Sequence, residues 1–252
     1  MKGFVKTYRK TLAFFAVVGL IGGFTIGLYL LDSYPEVMVQ ELLAQGMTPL
    51  LLALVTAVQS ALYGLFLGAA GIWLGKKIGL WKDECSITRK PLLWAIAISL
   101  VGGMVLILPD ILFFGKHIPA VAASYATKPT VPYLIGMVAY GGVIEEVMLR
   151  LFCMSGIAFI LWKVFDRKAE KPAAGLLIAA NIIAALLFAA GHLPTTFVML
   201  GDSALIIFRC FLLNGVFGLA FGWLYRKYGL RYAMIAHGGC HIVSKLIWIL
   251  FL

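Results

Sequence analysis

Seven apolar runs, at about 11–31, 49–75, 92–114, 131–162, 173–192, 204–225 and 232–252, take up most of this chain of 252 residues. A helix needs ~20 apolar residues to cross ~30 Å of hydrocarbon, and the runs meet that length. Backbone N–H and C=O groups in lipid must be satisfied within their own segment, so the runs predict helices. The alternating ~10-residue pattern of a membrane β-barrel is absent. Only 13% of the residues are charged, about half the roughly 25% of a soluble domain. The expected fold is therefore all-α, a polytopic transmembrane helical bundle of about seven spans. It forms a single integral membrane domain over 1–252, with short loops and the lipid bilayer as its surroundings.

The net charge is +10, which in a soluble protein would raise nucleic acid as a partner. Here the basic residues sit between apolar runs and form no basic, aromatic-interleaved module, so no nucleic-acid partner is expected. Sixteen of the 21 Lys and Arg fall in the N-terminal segment and the 76–90, 163–171 and 226–231 loops. The positive-inside rule places those four segments, and the N-terminus, in the cytoplasm. Lys2, Lys6, Arg9 and Lys10 precede a first run too long for a signal-peptide core, which reads as an uncleaved span. Cys85, Cys153, Cys210 and Cys240 are scattered, with no CxxC, and read as free thiols. The short loops and small size suit a prokaryotic plasma membrane.

Ionisable residues inside a span are costly and point to function. The fourth run contains Gly141-Gly142-Val143-Ile144-Glu145-Glu146-Val147-Met148-Leu149-Arg150. On a helix Glu146 and Arg150, four apart, share a face and can pair. Glu145 points about 100° away, toward a different neighbour. A buried ion network that fixes helix packing would account for Glu146 and Arg150. It leaves Glu145 over, because one Arg does not readily neutralise two carboxylates. His192 follows Phe188 by four residues at the end of the fifth run. Alone it would read as an interfacial or satisfied core histidine. His237 and His241, at i and i+4 in the last run, share a helix face. That spacing serves zinc in HExxH proteases, but Gly238 stands where their Glu would be, so a carboxylate would have to come from another helix. The plain alternative is a polar helix–helix contact. Asp110 is expected near the outer end of the third run. Arg209 and Lys245 are expected to snorkel or pair, Asn181 and Asn214 to bond between helices, and Cys240 to pack as a small residue.

Taken in order, Glu145-Glu146-xxx-Arg150, Phe188-xxx-His192 and His237-xxx-His241 resemble the EExxxR, FxxxH and HxxxN segments of the CPBP (Abi) intramembrane proteases. That family includes the type II CAAX prenyl endopeptidases. The resemblance covers about 131–245; the first three runs are recognisable only as hydrophobic. It implies that Glu145 and His192 activate the attacking water, with Glu146 and Arg150 in support. It also implies that His237 and the residue at 241 stabilise the oxyanion. Position 241 is His where relatives often have Asn; imidazole can still donate a hydrogen bond there.

The expected function is thus an intramembrane endopeptidase acting on membrane-associated peptides or proteins. Its competitors are a transporter or proton pathway, which would spread polar residues along a route, and a non-catalytic immunity or scaffold protein. No cofactor is required by this reading. His192, His237, His241 and Glu145 could hold zinc with one water position free, and the sequence inclines to a metal-free or loosely metallated site. Straight helices pose a difficulty. At ~1.5 Å per residue Glu145 and His192 lie ~26 and ~29 Å from the basic ends of their helices, His237 only ~8 Å from its own. A tilted or broken fourth span, a short fifth helix or shifted boundaries would close the gap.

Overall fold

A computed structural model describes residues 2–83 and 86–252, which leaves Cys85 outside the described residues. Among the described residues all regular structure is helical. Seven helices are long and apolar enough to cross a membrane: Gly3–Leu31, Pro49–Lys77, Arg89–His117, Val131–Phe165, Ala174–Leu200, Ala204–Tyr228 and Leu230–Phe251. We number these as the first to seventh spans. Glu36–Ala44 and Pro119–Ser124 are short connecting helices. The second, fourth and sixth spans start on hydroxyl caps. Thr48, Thr130 and Ser203 accept from the backbone N–H groups of Leu51, Tyr133 and Ile206, satisfying donors that a helix leaves free at its first turn.

The fifth span is longer than its apolar run suggested. It does not stop at His192 but continues through Pro194 to Leu200. A proline removes one backbone donor, and membrane helices tolerate this when neighbouring groups satisfy the freed carbonyl. His192 is therefore an interior residue of its helix.

Small residues set the helix approaches, as expected where lipid is as apolar as any side chain. Gly19, Gly23 and Gly27 lie on one face of the first span. A Cβ at each would come within 2.6 Å of the backbone or side chains of Ser60, Thr56 or Ala53 in the second. The seventh span runs beside the third, with Cys240 against Gly102 and Val243 against Gly103. Asn181 of the fifth span donates to the Leu219 carbonyl of the sixth at 3.0 Å, the interhelical bond its position suggested. Asn214 differs: it bonds the Cys210 carbonyl of its own helix. Cys153, Cys210 and Cys240 are free thiols.

The basic segments gather at one end of the bundle. Lys76 donates to the Tyr8 hydroxyl and to Asp83, while Tyr8 and Trp81 also donate to Asp83. Lys82 reaches the Lys227 carbonyl and Arg231 the Ser86 carbonyl. Large apolar side chains such as Phe14, Leu54, Trp94, Leu112 and Ile160 remain exposed around the helical body, the outer surface a lipid solvent calls for.

Candidate active site

The fourth span carries the two carboxylates on an unusual backbone. Between its α-helical ends, Met137–Glu145 and Val147–Met154 are π-helical, with hydrogen bonds reaching i+5. Such winding is rare and concentrates at functional sites. Two glycines inside it let the seventh span come against bare backbone. A Cβ at Gly142 would lie 2.8 Å from the Gly238 Cα, and one at Gly141 would lie 2.7 Å from His241 Nε2.

This contact brings His237 onto the carboxylates. Its Nδ1 lies 2.9 Å from Glu146 Oε1, and because a carboxylate only accepts, Nδ1 is the donor. Nε2 is thereby turned toward Glu145, 3.8 Å from Oε2. The His237 ring stacks on Phe221 at 4.6 Å between centroids. Glu146 is fully buried and Arg150 nearly so, with Arg150 Nη1 3.1 Å from Glu146 Oε1. The angle is too poor for a hydrogen bond, and among the described residues Nη1, Nη2 and Glu146 Oε2 have no hydrogen-bond partner. The guanidinium instead lies over two rings, 4.7 Å from the Phe188 centroid and 5.5 Å from that of Phe221. Cation–π attraction of this kind strengthens when water is excluded.

Glu145 is the carboxylate that reaches open space. It retains 17% side-chain exposure against 0% for Glu146, and with His192, His237 and His241 it lines a cavity of about 360 Å³. His192 Nδ1 lies 2.9 Å from the Phe188 carbonyl, so it carries the proton and leaves Nε2 bare. That Nε2 lies 4.0 Å from Glu145 Oε1. The separation is too long for a direct hydrogen bond and suits one water touching both acceptors. The Phe188 ring meets His192 edge-on at 4.7 Å, so one residue orients the imidazole through its carbonyl and its ring. His241 joins the group through its ring, stacked 5.0 Å from His237. Its Nδ1 is buried and unpartnered among the described residues.

Two features narrow the depth gap. The seventh span starts inside the bundle, with Leu230, Tyr232 and Ala233 buried, after a one-residue turn at Gly229, whose φ of 106° favours glycine. Ser99 of the third span meets the Ala236 carbonyl. The seventh span takes four fewer residues than the third to reach that level, about 6 Å of α-helical rise. Helical side chains also lean toward their N-termini, which carries His192 down its own helix toward Glu145.

Residues 127–243 match the family model described as Type II CAAX prenyl endopeptidase Rce1-like. The matched segment is similar to that family over 117 of the 252 residues. The match supports the resemblance to the CPBP proteases and, at the coarse level, a protease. The matched segment holds Glu145, Glu146, Arg150, His192, His237 and His241; the first three spans lie outside it. No curated protein and no solved structure gives a significant match.

Sequence reasoning missed two parts of the site. Phe221 holds both His237 and Arg150 without belonging to any motif. Asp110, Arg209 and Lys245 line the same cavity as Glu145. Arg209 Nε donates to Asp110 Oδ1 at 2.7 Å and its Nη2 to Oδ2, which Tyr125 also bonds at 2.8 Å. The burial of Tyr125 and the neighbouring carboxylate push its hydroxyl pKa well up.

Proposed function

We propose that this chain is an intramembrane endopeptidase that hydrolyses peptide bonds of membrane-associated peptides or proteins with a water activated by Glu145 and His192. The observation that carries the reading is Glu145 facing Nε2 of both His192 and His237, at 4.0 and 3.8 Å, on the wall of a cavity within the spans. A water donating one proton to Glu145 and the other to His192 Nε2 presents its lone pairs to a carbonyl carbon in the cavity. Glu145 takes a proton as the water attacks and returns it to the leaving amine. His237 and His241 are the donors for the oxyanion, each worth ~3–4 kcal/mol in a water-poor site. Because Nδ1 of His237 is committed to Glu146, its Nε2 donates only once the ring has taken up a second proton. Glu146 and Arg150 hold His237 in place and do not touch substrate.

Among the described residues no group of three or more His, Cys, Asp and Glu side chains is arranged to hold a metal ion. His241 stacks on the His237 ring instead of converging with Glu145, while the His237 Nδ1 bond to Glu146 is one that zinc-ligating histidines also make. The side chains as placed do not converge on a zinc position, and the proposed mechanism runs without one. The family description points to prenylated CAAX-type clients as the first substrates to try. The test is cleavage of a membrane-peptide library in proteoliposomes by wild type and Glu145→Gln. A loss of ~10²-fold or more is expected from removing the base, with wild-type activity surviving chelation. Equal cleavage by the two proteins would overturn the proposal, and flux without cleavage would favour a transporter. Loss of activity to a chelator, restored by zinc, would refute the metal-free mechanism alone.

A further inference from the structure

The cavity is electrically polarised along the seventh span. His237, His241 and Lys245 follow one another at four-residue spacing and so lie on one face of that helix. All three line the cavity. Near His237 the fixed charges are Glu145, Glu146 and Arg150, an excess of one negative charge with neutral imidazoles. At the far end they are Asp110, Arg209 and Lys245, an excess of one positive charge. Asp110 cannot neutralise Lys245. Both its oxygens are engaged, by the Arg209 fork and the Tyr125 hydroxyl. The Lys245 ammonium makes no hydrogen bond or ion pair among the described residues. It lies over the rings of Tyr133 and Trp248, 5.2 and 5.5 Å from their centroids. A partly buried cation within a span, held against aromatic faces and lacking an anion, is costly to maintain and is a counter-charge awaiting a ligand.

We infer that Lys245 is a specificity-determining residue that binds a carboxylate of the substrate at the far end of the cavity. The inference rests on the peptidase reading. The eight residues from His237 to Lys245 span ~12 Å of helix. An extended peptide covers ~3.3–3.6 Å per residue, so the carboxylate sits about three to four residues from the scissile bond. Met137, Leu213 and Phe217, which line the cavity between its two ends, give the intervening residues an apolar wall. Two sources present this chemistry at that distance: the chain-terminal carboxylate and an acidic side chain.

Binding and cleavage are read separately, so that failure of this inference is distinguishable from failure of the peptidase reading. Labelled apolar peptides in nanodiscs, ending in a free carboxylate or an amide, are titrated against the Glu145→Gln protein. A third peptide, amidated, carries one Glu placed three to four residues from its centre. The same peptides are then offered to active protein for KM and kcat. The expected result is roughly tenfold tighter binding of one carboxylate-bearing peptide over the plain amide, with the difference in KM and not in kcat. Which peptide gains identifies the source. Adding Lys245→Met to Glu145→Gln should bring the ratio near one, and Lys245→Arg should keep it. Equal binding of all three peptides to Glu145→Gln, or a preference that persists in the Lys245→Met protein, overturns the inference. The first comparison needs no Lys245 variant and stands even if Lys245→Met fails to fold. Selective binding without cleavage by active protein would retain Lys245 as an anion site and refute the peptidase.

Discussion

The contact between Gly142 and Gly238 gives the sharpest test of how this fold makes its site. A Cβ built on Gly142 meets the Gly238 Cα at 2.8 Å and its backbone nitrogen at 3.0 Å. Backbone cannot rotate away as a side chain can, and ordinary contact begins near 3.4 Å. The fourth and seventh spans must therefore separate by roughly 0.6 Å at least. The His237–Glu146 bond of 2.9 Å then stretches past hydrogen-bond length, and His237 loses its orientation against Glu145. Misplacement on the scale of 1 Å costs about 10²-fold in rate. Overpacking costs ~1–3 kcal/mol of stability, which outweighs the gain of up to ~1 kcal/mol from alanine's better helix propensity. The reverse substitution makes the control. A Cβ on Gly238 meets nothing nearer than 3.6 Å, the Val138 Cγ1, so Gly238→Ala should fold at least as well as wild type and keep its turnover. Peptide cleavage in proteoliposomes and thermal unfolding in detergent read both quantities. Should the two alanine variants behave alike in either assay, the backbone contact is not what sets the site.

Arg150→Met removes the cation between the Phe188 and Phe221 rings and strands Glu146 as a buried charge. Loss of one partner of a buried pair costs ~3–5 kcal/mol, so thermal unfolding should show a large drop, and Glu146→Gln added to it should recover part. At the basic end of the bundle, burial raises the Asp83 pKa, but hydrogen bonds from Tyr8, Trp81 and Lys76 outweigh it and leave the carboxyl below its ordinary value. A depressed folded-state pKa gives stability that is present above the unfolded value of about 3.9 and fades as pH falls through the folded one. The unfolding midpoints of wild type and Asp83→Asn should therefore differ at neutral pH and converge below about pH 4; a gap that widens in acid would contradict the assignment.

Hydropathy made the seven spans legible because lipid leaves a helix no alternative. Their ends were less legible. The fifth apolar run ends at His192, yet the helix continues through Pro194 to Leu200, because a neighbour and not the sequence determines whether the carbonyl freed by a proline is satisfied. The different environments of Glu145 and Glu146 were readable from spacing, since only Glu146 can reach Arg150 along its own helix. The π-winding that carries both was not, because no residue type encodes i+5 bonding, and Gly141-Gly142 pointed only to a tilt or break in the span. Gly19, Gly23 and Gly27 could have been read as a small-residue face. Asp110 and Arg209, 99 residues apart, could not have been paired by any local rule.

Phe188 and Phe221 show where a short motif stops being informative. Both rings stand over the Arg150 guanidinium, and each also contacts a site imidazole, His192 or His237. Phe188 precedes His192 by one helical turn, so its ring, its carbonyl and the imidazole share a face, and the spacing records the relation. Phe221 reaches His237 from a different helix, and nothing about its neighbours in the chain marks it. The site needs both, because a guanidinium without well-aligned hydrogen bonds has only aromatic faces to replace water. A motif written along one helix can therefore register half of an enclosure built by two. The other half is found by asking which buried charge lacks a partner and what stands over it.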